Sequence, residues 1–176
     1  MLLMLAASLM ATGEDELFRA LVFGKETRLE EGHTYVVKER KPQRAPDRFF
    51  QLLSQGYRGL YVTRQHPNHV EVPRGADVRL VWLSTTLGKD YMDPHNLSSL
   101  AAAIRDFLEK AGKGVILLDG LEYLMINNEF SRIMNFMELL HEVITEHRAI
   151  LLVSVDDRAF EERELALIER NAVVVG

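Results

Sequence analysis

The chain has 176 residues, of which 47% are hydrophobic and 27% charged, and this suits one globular domain with a substantial core. Its 21 lysines and arginines against 26 aspartates and glutamates give a net charge of −5, so we expect no nucleic-acid partner. It has no cysteine, which excludes disulfides, thiolate metal sites and a cysteine nucleophile, and which fits a cytoplasmic location.

The chain divides into an N-terminal extension, residues 1–28, and a single domain, residues 29–176. Residues 1–12 are apolar and uncharged, yet shorter than the roughly 20 residues of a membrane-spanning helix, and they lack the basic start of a secretory signal. We expect them to pack on the domain or on a second copy. The alternative is the remnant of a membrane anchor. Residues 15–24 predict a short amphipathic helix.

Strands and helices alternate along the domain. The predicted strands are 34–38, 59–63, 78–84, 115–118, 149–155 and 172–175. The first predicted helix runs from a cap at Asp47 to Gly56, and the second from Pro94 and Asn96 to Gly112. Further helices are predicted from Leu121, through 130–144 and through 160–168. The runs 115–118 and 149–155 are apolar without alternation, which is typical of strands covered on both faces. This pattern predicts an α/β fold of three layers, α-β-α, with a mainly parallel sheet.

Polar residues follow several of the predicted strands. Because open α/β sheets bind ligands at the carboxyl ends of their strands, these residues mark the default site. The candidate ligand-binding residues at this rim are Arg64, Ser84, Asp119 and Glu122.

Asp119 and Glu122 allow two interpretations. In the functional one, Asp119 holds a metal directly or through water, while Glu122 polarises a water molecule. In the structural one, Asp119 caps the helix that begins at Leu121. The chain contains no G-x-x-x-x-G-K-[ST] phosphate loop, since none of its three Gly-Lys pairs precedes serine or threonine, and this favours the structural interpretation.

Other catalytic and metal motifs are incomplete. Glu138 and His141 have the Glu-x-x-His spacing of carboxylate-bridged metal sites, but those sites need a second copy, so we expect a solvent-facing polar side. His66 and His69 flank a proline and lack a nearby third ligand. Neither G-x-S-x-G nor G-x-G-x-x-G occurs. We therefore predict no catalytic residue, no metal site and no cofactor.

Residues 121–130 carry more apolar side chains than one helix face requires. They either complete the core or form a surface for a partner or a second copy, to which methionine and aromatic side chains are suited. The candidate partner-surface residues are Tyr123, Met125, Ile126 and Phe130.

Several stretches resemble the archaeal domain of unknown function 835, from about Leu29 onward. They are GYRGLYVTR at 56–64, WLS at 82–84, LLDGLEYL at 117–124 with NNEF at 127–130, and RELALIER at 163–170. Glu129 and Asp157 stand where that family has a glycine and a proline.

The chain is more distantly similar to RecA-like ATPases of the circadian-clock KaiC type. This similarity implies that residues 35–38 form the first strand, that residues 39–46 replace the phosphate loop, and that Asp119 stands at the Walker B position. It implies the scaffold of an ATPase that has lost hydrolysis.

Three functional hypotheses follow. The first is a non-catalytic regulatory or signalling module that acts through contacts with an unidentified protein partner and through self-association. The second is a domain that binds a nucleotide or another phosphate ligand at the rim, with Arg64, Ser84, Asp119 and the loop 38–44 serving the phosphates. The third and weakest is a sensor module tethered to a membrane by residues 1–12.

Overall fold

The computed structural model describes residues 27–88 and 90–175. The apolar segment 1–12 and the predicted helix 15–24 lie outside the described residues, and so do the proposed packing and anchoring roles of the N-terminal extension.

Seven strands form one sheet, and every pair of neighbouring strands is parallel. The strands are β1 (His33–Lys38), β2 (Arg58–Thr63), β3 (Val78–Leu83), β4 (Tyr91–Met92), β5 (Gly114–Asp119), β6 (Ile150–Val155) and β7 (Val173–Val175). Their order across the sheet is β4-β3-β2-β5-β6-β1-β7. This confirms the predicted α/β fold with a parallel sheet.

Five α-helices flank the sheet in the described part of the chain. They are α1 (Arg44–Ser54), α2 (Leu97–Ala111), α3 (Leu121–Ile126), α4 (Phe130–Glu146) and α5 (Glu162–Glu169), and two short 3-10 turns, Pro67–His69 and Asp157–Ala159, add to them. Successive residues of each strand point to opposite faces of the sheet. One face therefore packs on α1 and the other on α2 to α5, as two separate hydrophobic clusters.

The two strands with unbroken apolar runs lie at the centre of the sheet. Every residue of β5 and of β6 is buried, and the two strands pair with each other. Helices cover both faces there, so no position has to be polar to suit solvent. The prediction that these runs are doubly covered strands is confirmed.

The predicted start of α1 is wrong. The helix begins at Arg44, and Asp47 lies in its first turn instead of capping it. Pro46 is compatible with this position, because the first amides of a helix have no partner within the helix. The sequence predicted a longer loop before α1, because the group that accepts hydrogen bonds from the amides of its first turn lies outside the helix.

The ends of α2 follow the local sequence. Asn96 accepts a hydrogen bond from the backbone amide of Ser99 at 3.0 Å, which caps the helix. Gly112 follows the last turn with a φ of 71°, a conformation that suits glycine. Glu129, at the start of α4, has an extended backbone with a φ of −66°, so the position does not require a glycine.

Strand β4 was not predicted from the sequence. It consists of Tyr91 and Met92 only and pairs with Trp82 and Leu83 at the edge of the sheet. A strand of two residues is too short to show a periodic pattern.

No helix within the described ranges is long and apolar enough to cross a membrane.

Gly59 tests how tightly α1 packs on the sheet. A methyl group at this position would lie 2.5 Å from Phe49 Cζ and 2.8 Å from Leu53 Cδ2. Phe49 is fully buried in the cluster that α1 forms with the sheet. We expect Gly59→Ala to lower the free energy of unfolding by about 1–3 kcal/mol through overpacking, as measured by chemical denaturation.

Gly88→Ala is the matched control for this substitution. Among the described residues its added methyl would meet only Trp82, at an ordinary contact distance of 3.4 Å, so we expect a change within about 0.5 kcal/mol. Equal effects of the two substitutions would contradict the packing described for α1.

Candidate functional site

The register of the sheet places three polar residues side by side at the carboxyl ends of β2, β5 and β6. Thr63 pairs with Asp119, and Asp119 pairs with Ser154. Ser154 in turn lies opposite Val37, two residues before the loop that follows β1. Asp119 and the loop after β1 therefore face each other across β6.

A cavity of about 270 Å³ lies at this end of the sheet. Its described lining contains four carboxylates and two arginines, and it is therefore acidic. The lining residues are Glu39, Arg40, Pro42, Arg64, Asp119, Gly120, Glu122, Ser154, Asp156 and Ala159. Three of the four predicted ligand-binding residues, Arg64, Asp119 and Glu122, are thus brought together.

Ser84 is not among the lining residues. It lies at the end of β3, one strand beyond β2, and it is buried. Its hydroxyl oxygen accepts a hydrogen bond from the backbone amide of Thr86 at 2.9 Å. In the structure Ser84 holds the turn after β3 and does not contribute to the cavity.

Asp119 is the most buried carboxylate of the cavity, with 6% of its surface exposed. Thr63 donates its hydroxyl to Asp119 Oδ2 at 3.0 Å. Burial raises the pKa of Asp119 to about 6, because the charged carboxylate loses its hydration. The negative charge of Glu122 raises the pKa further. The hydrogen bond from Thr63 and the positive charge of Arg64 lower it. Asp119 is therefore a proton-binding group near neutral pH.

The structural interpretation of Asp119 as a helix cap is wrong. Gly120 occupies the N-cap position of α3, and none of the described side chains caps that end. Gly120 has a φ of 139°, and a Cβ there would lie 3.1 Å from Leu83 Cδ1. The glycine permits an abrupt turn from strand to helix, and this turn leaves the carboxylate of Asp119 directed toward Thr63.

Glu122 connects α3 to the loop after β6. Its Oε1 accepts a hydrogen bond from the backbone amide of Asp156 at 2.6 Å. Asp156 in turn binds Arg158, with 2.8 Å between Arg158 Nε and Oδ1 and 2.6 Å between Arg158 Nη2 and Oδ2. The hydrogen bonds from Arg158 lower the pKa of Asp156 to about 2, so this carboxylate stays charged.

Glu39 holds the first turn of α1. Its Oε2 accepts hydrogen bonds from the backbone amides of Gln43 at 3.1 Å and Arg44 at 2.7 Å, and its Oε1 lies 3.3 Å from the amide of Ala45. Ser154 donates its hydroxyl to Oε1 at 2.7 Å. Glu39 thus replaces Asp47 as the group that satisfies the free amides of α1.

Two of the basic residues around the loop after β1, Lys38 and Arg44, bind partners within the chain. Lys38 Nζ lies 2.6 Å from Glu169 Oε1, and the guanidinium of Arg44 donates to the carbonyl oxygen of Lys38. Arg40 and Arg64 line the cavity with exposed side chains. Two arginines, and not the whole basic loop, therefore face the cavity.

The four candidate partner-surface residues differ in exposure. Tyr123, Met125 and Phe130 are half-buried and pack against the core beneath α2 to α5. Ile126, at the end of α3, is 80% exposed. Most of the apolar excess in this stretch completes the core, and Ile126 alone of the four projects into solvent.

Two charged lining residues, Glu39 and Arg40, were not singled out individually from the sequence. Glu39 and Arg40 were named only as members of the loop 38–44, which the second hypothesis assigns to the phosphates. The one signal that pointed to Glu39 was its position directly after the first strand, where a phosphate loop would begin. Within the described ranges no group of three or more histidines and carboxylates has the arrangement of a metal site.

Comparisons with known proteins agree with this architecture. Residues 38–171 match the model of a family described as Protein of unknown function (DUF835). The crystal structure of a KaiC-like protein from the hyperthermophilic archaeon Pyrococcus horikoshii is similar in fold, with a TM-score of 0.55 and 16% identity over 88% of this chain and 74% of that chain. At this identity the likeness concerns the fold alone. No curated protein matches the sequence.

Asp119→Asn tests the buried charge. The pKa of Asp119 is about 6 in the folded chain against an ordinary 3.8, so the folded state binds the proton more tightly and wild-type stability falls as pH rises from about 4 to about 6. The difference corresponds to roughly 3 kcal/mol. We expect the variant to raise the free energy of unfolding by about 1–3 kcal/mol near pH 8 and to lose this advantage near pH 4.

Asp156→Asn is the control, because the pKa of Asp156 is shifted in the opposite direction from that of Asp119. The pKa of Asp156 is lowered to about 2, so its contribution is complete above about pH 4 and is lost only as pH falls through about 2. Denaturation curves measured between about pH 5 and about pH 8 should therefore show a constant offset for this variant. A gain in stability for Asp119→Asn that does not depend on pH would contradict the assignment.

Proposed function

The chain belongs to the DUF835 family, and we propose that it is a non-hydrolysing regulatory or signalling module of the archaeal cytoplasm. It acts through contacts with other proteins, including copies of itself. It uses the scaffold of a RecA-like ATPase to make protein contacts and does not hydrolyse nucleotides.

The acidic character of the rim cavity carries this proposal. A triphosphate brings several negative charges, and phosphate sites meet them with backbone amides, a lysine and a metal ion. Here the cavity is lined by the carboxylates of Glu39, Asp119, Glu122 and Asp156. The lysine that ends β1, Lys38, forms an ion pair with Glu169 of α5. These charges oppose binding of a nucleotide phosphate.

The exposed end of α3 supports action through protein contacts. Ile126 is a large aliphatic side chain with 80% of its surface in solvent, and the half-buried Tyr123 and Met125 lie on the same helix. Aromatic residues and methionine are enriched at protein interfaces relative to other surfaces. The end of α3 is therefore the proposed self-association surface.

A second function, binding of a phosphate ligand at the rim, is favoured by Arg40 and Arg64. Both arginines line the cavity, and guanidinium groups bind phosphate oxygens in pairs. The charge balance favours the first function, and nucleotide binding distinguishes the two.

A melting-temperature screen against nucleotides, with and without Mg²⁺, tests the proposal directly. A ligand that binds only the folded state raises the melting temperature, so we expect no shift for any nucleotide with the wild-type chain. A magnesium-dependent rise that disappears in Asp119→Asn would contradict the proposal and establish the second function.

Ile126→Lys tests the self-association surface. A lysine at this exposed position has little effect on folding, but it places a charge in any apolar contact made there. We expect the wild-type mass in sedimentation to rise with protein concentration and the mass of the variant to stay that of a monomer. Leu87→Lys is the matched control, since Leu87 is 79% exposed and lies away from α3, in the loop after β3. Equal behaviour of the two variants would exclude the end of α3 as the surface.

A further inference from the structure

The contacts of Glu39 have the pattern of an anion bound at the start of a helix. Both carboxylate oxygens are engaged, Oε2 by the amides of Gln43 and Arg44 and Oε1 by the amide of Ala45. The amides at a helix start have no partner within the helix and bind phosphates and carboxylates in many proteins. In this chain the bound anion is a side chain of the protein itself.

Ser154 is a further donor from a different part of the fold. It lies on β6, is 4% exposed, and donates its hydroxyl to Glu39 Oε1 at 2.7 Å. It is 115 positions away from Glu39 in the chain, so this contact is not part of a local turn. Three amides and one buried hydroxyl thus converge on a single carboxylate at the wall of the rim cavity.

The backbone of Glu39 is held as firmly as its side chain. Its amide donates to the carbonyl oxygen of Val155 at 2.9 Å, which extends the pairing of β1 with β6 by one residue. The loop that follows leaves only residues 40–43 before α1 begins. This short connection keeps the carboxylate beside the first turn of the helix.

We propose that Glu39 is the specificity-determining residue of the rim cavity. Its carboxylate occupies the position where these four donors would otherwise bind an oxygen of phosphate, and it thereby excludes external anions. This inference rests on the proposed function, because it explains how a scaffold similar to that of an ATPase rejects phosphates without losing the geometry that binds them.

Glu39→Ala tests the inference with inorganic phosphate as the probe. Removal of the carboxylate frees the three amides and the Ser154 hydroxyl, so we expect the variant to bind phosphate at least about tenfold more tightly than wild type, since one hydrogen bond to a charged group is worth about that factor. Binding is measured by calorimetry and by the rise in melting temperature at constant ionic strength, with chloride as the reference salt.

Two further variants separate the effect of the α1 amides and Ser154 from the effect of the cavity's negative charge. Glu122→Ala removes one negative charge from the same cavity without freeing the α1 amides, so we expect it to strengthen phosphate binding much less than Glu39→Ala does. Ser154→Ala in the Glu39→Ala background removes one donor, and we expect it to weaken phosphate binding again. Equal phosphate binding by Glu39→Ala and Glu122→Ala would overturn the inference.

The remaining outcomes are also decisive. A Glu39→Ala chain that fails to fold alone should be rescued by phosphate, which replaces the lost carboxylate; if phosphate neither binds nor stabilises the variant, the inference is overturned while the proposed function stands. Phosphate binding by the wild-type chain that is as tight as that of the variant would overturn both.

Discussion

Burial of the central strands on both faces is the constraint on which the remaining structure depends. β5 and β6 expose none of their residues, so polar groups in this region have to lie where the strands end. All pairs in the sheet are parallel, and the ends that carry Thr63, Asp119 and Ser154 therefore meet at one rim. The position of the site follows from the burial pattern before any particular chemistry is considered.

The rim is stabilised by polar groups that satisfy one another. Thr63 donates to Asp119, Ser154 and three amides donate to Glu39, and the amide of Asp156 donates to Glu122. A carboxylate in a buried setting is strongly destabilising unless it has such donors. The same hydrogen bonds that make the acidic cavity tolerable also use donors that a phosphate would need.

Much of the fold was predictable from the sequence, because unbroken apolar runs such as 115–118 indicate doubly covered strands. The rim assignment of Arg64 and Asp119 followed from their positions at the ends of predicted strands, and that of Glu122 from its pairing with Asp119, although the same reasoning placed Ser84 at the site wrongly. Local details were less accessible. Asp47 was expected to cap α1 because it precedes an apolar periodic stretch, yet the acceptor is Glu39, whose role depends on the pairing of β1 with β6.

The interpretation of Asp119 as a cap failed for a related reason. A cap is a property of residues adjacent in sequence, whereas the partner of Asp119, Thr63, lies 56 positions away on the neighbouring strand. Sequence patterns report which face of an element is apolar, and they do not report which polar groups meet across the sheet. Sequence patterns therefore do not predict the polar contacts that decide whether a rim binds a ligand.

A buried carboxylate with a pKa near 6 lowers the stability of the folded chain at neutral pH. Neutral polar side chains would also satisfy Thr63 without the loss of hydration that a charge suffers. Asp119 is thus better explained by the chemistry of the rim than by folding. Together with Glu39 it keeps the cavity negative, and the proposed exclusion of phosphates depends on this charge, since the start of α1 has the geometry to bind them.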